Sequence, residues 1–239
     1  MFSLGRYQLR APAICGSVIS DDADGMVAGV VKALEQEVDL IELRLDGLRG
    51  PIDWGKVLRH ELPTIVTNRP EREGGRYKGT ERDRVAPLIE GIEQGAACVD
   101  LELSTPKRLL EEVASAARER GAAVLLSYHN LSTTPTPRAL LRIARRMKEA
   151  GCDIAKIVTF AREPRDCLRV LDLLVKAQKL GVGMVSFAMG EAGRPSRILA
   201  PLFGSRIVYA AVGEPTAPGQ FDVPTARRLL RDLGMEGTR

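Results

Sequence analysis

The chain has 239 residues, 44% hydrophobic and 28% charged, the balance of a folded globular protein rather than a disordered, collagenous or mucin-like one. Thirty-five Lys and Arg against 31 Asp and Glu leave a net charge of +4, which favours small anions but gives little support to a nucleic-acid partner. One Trp, four Tyr and five Phe are few for stacking on single strands.

No stretch approaches the ~18 apolar residues of a membrane span, and Met1 to Arg10 lack the ~7–15 residue apolar run of a signal peptide, so a cytoplasmic protein with no membrane partner is expected. Cys15, Cys98, Cys152 and Cys167 are far apart and form no C-x-x-C pair. They are expected to be reduced core residues, with no metal site.

Short apolar runs predict eight strands: Ala13–Val18, Leu40–Leu45, Thr64–Thr67, Cys98–Leu103, Ala123–Ser127, Ile154–Thr159, Gly183–Phe187 and Ile207–Ala211. Helical patterns lie between them. Leu140, Ala144 and Met147 repeat on one side of a segment that Pro135 and Pro137 precede, and Leu168, Leu171 and Val175 predict a similar stripe. Gly121, Gly151 and Gly181 suit helix C-terminal stops. Ile19, Arg44, Arg69, Glu102, His129, Lys156, Ser186 and Val212 mark strand ends that recur every 25–33 residues. The alternation predicts a parallel sheet with crossover helices, and eight units at this length point to a single (β/α)8 TIM barrel over residues 1–239. An open doubly wound sheet is the alternative, weakened by the absence of G-x-G-x-x-G after the first strand.

Chemistry in such a barrel collects at the carboxyl ends of the strands. Glu42, Arg44 and Asp46 share one side of a strand by the period of two. Thr67-Asn68-Arg69 leads into a polar loop containing Glu73, Gly74 and Gly75, and Asp100 and Glu102 alternate with apolar residues. Lys156 is a lone ammonium inside an apolar strand, where burial and neighbouring cations free an amine for attack on a carbonyl. The alternative for Lys156 is a salt bridge to Glu42, Glu102 or Asp100. His129 ends a strand, where a general acid–base group could reach the centre, whereas His60 is expected to be exposed. Arg44, Arg69 and Arg197 suit a bidentate anion contact or a structural ion pair. The segment from Gly190 to Arg197 could turn backbone N–H groups toward an anion, and the loop from Thr216 to Gln220 could close over a ligand.

These residues resemble the type I 3-dehydroquinate dehydratases. The resemblance runs from Ile41 through Gln220 in order: Glu-Leu-Arg-Leu-Asp at Glu42–Asp46, Thr-Asn-Arg at Thr67–Arg69, Glu-Gly-Gly at Glu73–Gly75, Asp-Leu-Glu at Asp100–Glu102, Ser-Tyr-His at Ser127–His129, Ala-Lys-Ile at Ala155–Ile157, Met-Gly at Met189–Gly190, Ser-Arg at Ser196–Arg197 and Ala-Pro-Gly-Gln at Ala217–Gln220. The resemblance implies a (β/α)8 barrel that dehydrates 3-dehydroquinate to 3-dehydroshikimate in the shikimate pathway, without metal or cofactor. Lys156 would form the Schiff base and His129 would move the protons. Glu42 would be the carboxylate paired with the histidine, and Arg197 would bind the substrate carboxylate. Arg44, Arg69, Glu73, Thr216 and Gln220 would line the substrate site, and the family suggests a homodimer.

Three departures from the commonest family pattern stand out. Thr216 stands where serine is frequent, and Asn130-Leu131 where Asp-Phe is frequent. The short N-terminal region predicts that an extra hairpin closing the barrel floor is reduced or absent. Two other functions fit the same residues: a different Schiff-base enzyme such as a class I aldolase, and a non-catalytic barrel binding an anion or nucleic acid. The basic segments Arg142–Lys148 and Arg227–Arg231 are the sole support for nucleic acid and read as solvated helix faces.

Overall fold

In the computed structural model, which describes residues 1–235, the chain opens with a short antiparallel hairpin of β1 (Phe2–Leu4) and β2 (Tyr7–Leu9). Eight parallel strands follow: β3 (Ala13–Ile19), β4 (Leu40–Arg44), β5 (Thr64–Thr67), β6 (Cys98–Glu102), β7 (Ala123–His129), β8 (Ile154–Phe160), β9 (Gly183–Met189) and β10 (Ile207–Ala211). They pair in chain order, with β10 beside β3, and curl into a nearly closed (β/α)8 barrel. At the seam, the Arg206 N–H donates to the Met184 carbonyl at 2.9 Å. The Phe187 and Tyr209 rings meet there with centroids 6.3 Å apart.

Helices α1 (Ala23–Glu35), α2 (Trp54–Val57), α3 (Glu81–Glu93), α4 (Lys107–Arg120), α5 (Pro137–Glu149), α6 (Arg165–Ala177), α7 (Arg194–Leu199) and α8 (Val223–Asp232) make the crossovers. Local chemistry sets their ends. Asp22, Thr80, Thr136 and Asp222 accept backbone N–H groups as N-caps. Gly121 and Gly181 take the left-handed conformation at C-terminal stops.

Three expectations are corrected. The floor hairpin is present: Leu4 is wholly buried and packs into the inner barrel core beside Cys15, Leu40 and Cys98. Of the stripe proposed for α6, only Leu171 faces the core. Leu168 and Val175 are 65% and 47% exposed, and Val170, Leu171, Leu173, Leu174 and Ala177 face the core. His60 is half-buried rather than exposed, and burial lowers its pKa. All four cysteines are free thiols, three of them buried. Among the described residues, no helix is long and apolar enough to cross a membrane.

The period of two builds the interior in layers. The lower layer is apolar, with Cys15, Leu40, Ile65, Cys98, Leu125 and Ile154 all in the inner core. Two residues further along the same strands stand Ser17, Glu42, Thr67, Asp100, Ser127 and Lys156, every one buried. On β9 the register partner of Lys156 is Val185, and Phe187 pairs with Val158 one step higher. Two residues on again come Arg44, Arg69, Glu102, His129 and Val158. An apolar floor therefore carries a polar floor, and a second polar layer opens toward the carboxyl ends of the strands.

Candidate active site

A cavity of about 290 Å³ opens above the polar layer. Glu42, Arg44, Arg69, Glu73, His129, Lys156, Arg197, Thr216 and Gln220 all line it, so the structure brings every site residue expected from sequence to one place. Lys156 is the third residue of β8 rather than its last, so its amine lies deep. Its Nζ is 3.0 Å from Asp100 Oδ2 and 3.4 Å from Glu42 Oε1, and it lies over the Tyr209 ring at 3.8 Å from the centroid. Its partners are thus carboxylates, and Glu102 is not among them.

Register explains this convergence. Ser17 pairs with Glu42, Thr67 with Asp100, and Ser127 with Lys156 across adjacent strands. Ser17 Oγ and Thr67 Oγ1 donate to the two oxygens of Glu42 at 3.0 and 3.1 Å. Burial alone would raise the Glu42 carboxyl, but Lys156 and Arg44 outweigh it and hold it below the usual range. The same contest holds Asp100 far below the usual carboxylate range, with Arg69 and Lys156 prevailing over burial. Arg69 donates to Asp100 Oδ2 at 2.6 Å, and its Nη1 reaches Glu102 and Ser127.

His129 is held by Glu73, not Glu42, which corrects the expected pairing. Glu73 Oε2 lies 3.2 Å from His129 Nδ1 and accepts the His129 backbone N–H at 3.0 Å. Ser104 Oγ donates to the other oxygen at 2.8 Å. A carboxylate only accepts, so the imidazole proton sits on Nδ1, leaving the Nε2 lone pair unused by this pair. Burial, with Arg69 and Lys156 adding to it, lowers the imidazole pKa to about 4 against the pull of Glu73. His129 is therefore neutral near pH 7. Glu73 reaches it because the chain doubles back after β5: a Cβ at Gly75 would lie 1.9 Å from the Arg69 carbonyl oxygen, so only glycine fits that turn.

The opposite wall carries an uncompensated cation. Arg197, on α7, is 4% exposed. Its Nη2 donates to the Pro218 carbonyl at 2.9 Å, and its guanidinium lies 4.5 Å from the Phe187 ring centre. No carboxylate faces it among the described residues, and burial lowers its pKa to about 10. By contrast, Arg44 is closed off by a two-point pair with Asp46, both contacts at 2.8 Å. The Arg197 guanidinium is therefore the cavity's open anion receptor.

The segment from Thr216 to Gln220 folds over the mouth. Gln220 Oε1 accepts from the Thr216 N–H at 2.8 Å and from its hydroxyl at 3.0 Å. The Gly190 N–H donates to Pro218 at 3.4 Å. Lining residues not singled out from sequence as site residues include Ser17, Phe160, Phe187 and Tyr209. Ser17 and Tyr209 were legible in principle, each standing two residues beyond an inner-core residue of its strand.

Fold and site together define a (β/α)8-barrel enzyme with a lysine amine at the cavity floor and an anion receptor on its wall. The model of the type I 3-dehydroquinase family matches residues 14–236. A 3-dehydroquinate dehydratase from Methanothermobacter thermautotrophicus is 38% identical over 226 residues, covering 92% of this chain and 96% of that one. The enzyme of that name from Methanosarcina acetivorans is 34% identical, covering 98% of this chain and all of its own length (100%). The crystal structure of 3-dehydroquinate dehydratase from Geobacillus kaustophilus superposes with a TM-score of 0.91 at 27% identity, covering 99% of this chain and 97% of that one. The chain belongs to the type I 3-dehydroquinase family.

Proposed function

We propose that this chain dehydrates 3-dehydroquinate to 3-dehydroshikimate through an imine on Lys156. The observation that carries the reading is a single cavity with the Lys156 amine at its floor, a neutral His129 on its wall and an unpaired Arg197 guanidinium opposite. Arg197 takes the substrate carboxylate, which sets the ketone over Lys156. The amine attacks the carbonyl carbon, and the resulting carbinolamine loses water to give an iminium. The proton that the Lys156 amine sheds leaves with the carbinolamine hydroxyl as water, and the ionised Asp100 and Glu42 balance the iminium that forms.

The iminium withdraws electrons and acidifies the adjacent C–H. Nε2 of His129 takes that proton, leaving an enamine, and Glu73 stabilises the imidazolium. The enamine pushes out the β-hydroxyl, which leaves as water with the proton from His129. A second water then hydrolyses the product iminium and returns the free amine. One water lost on condensation is regained on hydrolysis, so the net change is loss of one water from substrate. Arg69, Thr216 and Gln220 contact the substrate, Arg44 lines the same site behind its pair with Asp46, and the Thr216–Gln220 segment shields the imine from solvent.

Residues 1–239 act as one catalytic domain, without metal or cofactor, in a cytoplasmic homodimer. Borohydride added with 3-dehydroquinate should fix one reduced adduct at Lys156, located by mass spectrometry, and Lys156→Ala should lose both adduct and turnover. Turnover retained in Lys156→Ala would refute the reading, as would trapping of sugar phosphates in place of dehydroquinate. Product absorbance growing undiminished in EDTA tests the metal-free part. A solution mass of two chains tests the dimer.

A further inference from the structure

Seven ionisable side chains run in alternating sign from the start of α3 to the cavity floor: Glu81, Arg84, Glu102, Arg69, Asp100, Lys156 and Glu42. Arg84 does not line the cavity, yet its side chain is wholly buried. Its neighbours on the inner face of α3 are Val85, Leu88 and Ile92. An apolar residue there would dock the helix without stripping a guanidinium of water, and buried ion pairs can often be replaced by apolar groups without loss of stability. Helix docking alone therefore does not account for arginine at this place.

Its contacts point toward the lysine. Arg84 Nη1 is ion-paired with Glu102 Oε2, whose other oxygen takes Arg69. Nη1 also donates to the Asn68 carbonyl at 3.0 Å, and Asn68 Nδ2 donates back to the Arg84 carbonyl at 3.0 Å. This clamp grips the residue just before Arg69. On the outer side, Nε and Nη2 are fixed by Glu81 at 3.1 and 2.9 Å, and Nη2 by Thr105 Oγ1 at 2.8 Å. Arg69 shares one oxygen of Asp100 with Lys156, at 2.6 and 3.0 Å respectively. A small displacement of Arg69 thus reaches the amine through one shared atom.

We propose that Arg84 is a positioning residue for Lys156, acting through Glu102, Arg69 and Asp100. Without it, Glu102 keeps one cation instead of two and draws Arg69 toward itself. Asp100 keeps the Ser127 hydroxyl on Oδ1 at 2.6 Å but loses the guanidinium on Oδ2, the oxygen it shares with Lys156, and that end shifts with the amine. The proposal rests on Lys156 being the imine-forming amine.

The test measures turnover per trappable site, using the borohydride adduct with 3-dehydroquinate to count competent lysines. Arg84→Met keeps the volume and removes the charge, and should lower turnover per labelled site ~10-fold or more, because ångström-scale misplacement near the chemistry has effects of that order. Arg84→Lys keeps a positive charge near Glu102 but loses the fork held by Asn68, Glu81 and Thr105, so its turnover per labelled site should fall between those of the parent and Arg84→Met. Leu88→Ala loosens the same helix without touching the charged row; it should lower the melting temperature yet leave turnover per labelled site unchanged. Equal turnover per site in Arg84→Met and the parent overturns the proposal, as does equal loss in Leu88→Ala. Should Arg84→Met not fold, Thr105→Val decides: a loss of about 2-fold or more per site supports the proposal, given the loss of one charge-assisted hydrogen bond from the guanidinium, and no loss overturns it. Absence of any adduct in the parent enzyme removes the Schiff-base reading and this proposal with it.

Discussion

Arg197→Met should make the protein more stable and a poorer enzyme. The guanidinium is buried, has no carboxylate partner among the described residues, and its pKa is lowered by burial to about 10. The ordinary arginine value lies well above that, so holding the charge in the fold costs about 3 kcal/mol at ~1.4 kcal/mol per pKa unit. The Phe187 ring and the Pro218 carbonyl offset about 1 kcal/mol each. Methionine removes all three effects and buries an apolar chain of similar length, for a net gain of about 1 kcal/mol. In a chain of this size that is a rise of roughly 2–4 °C in melting temperature. The substrate carboxylate would then meet an apolar wall, and losing one partner of a buried charged pair costs about 2–5 kcal/mol, or ~30-fold and upward in KM. Thermal unfolding and steady-state kinetics on the same preparation read both effects. A variant less stable by more than about 1 kcal/mol, with KM for 3-dehydroquinate unchanged, would refute the assignment of Arg197 as an uncompensated receptor.

Glu73→Gln removes the charge that stabilises the imidazolium of His129 and frees Nδ1 to change tautomer; kcat should fall roughly 10-fold or more, with KM nearly unaltered. Gly75→Ala places a Cβ against the Arg69 carbonyl and should cost about 2 kcal/mol or more in urea denaturation, with loss of activity as Glu73 is displaced. Acid should weaken the fold through His129. Its folded pKa of about 4 lies below the unfolded 6.5, so the unfolded chain binds the extra proton first. Stability is therefore lost as pH falls from about 6.5 toward 4, by about 2–3 kcal/mol at pH 4.5. His129→Gln should flatten that slope above pH 4.5, before the depressed carboxylates begin to protonate, and a parent-like slope in the variant would assign the effect elsewhere.

The barrel was legible because each strand carries its own period. Cys98-Val99-Asp100-Leu101-Glu102 alternates inward and outward without interruption, and Ile154-Ala155-Lys156 sets one cation in an otherwise apolar run. Polar residues at inward positions had to share the barrel interior, and that brought Glu42, Asp100 and Lys156 within bonding reach. The partner of His129 was not legible this way. Glu73 arrives from a loop whose path depends on Gly75 fitting against Arg69, a tertiary fact with no period. The phase of α6 was lost for the opposite reason: with apolar residues at 167, 168, 170, 171, 173, 174 and 175, nearly every face of that helix offers a stripe. The floor hairpin was missed because its signal is two residues long. Gly5, with φ +57°, and Arg6 join strands of three residues each.

The polar layer explains why a barrel floor can hold a reactive amine at all. A lysine dropped into the apolar layer below, beside Leu125 and Ile154, would have no counter-ion and would be expelled or neutralised. One step of two residues higher, Asp100 and Glu42 meet it from strands two to four positions away around the barrel. Those carboxylates stay ionised because Arg69 and Arg44 stand in the next layer up, each tied to a further acid. Among the buried cations of the described residues, charge is therefore compensated everywhere except at Arg197. Among the described residues, the one buried cation left without an acid faces the cavity, and an anionic substrate completes the pattern the strands begin.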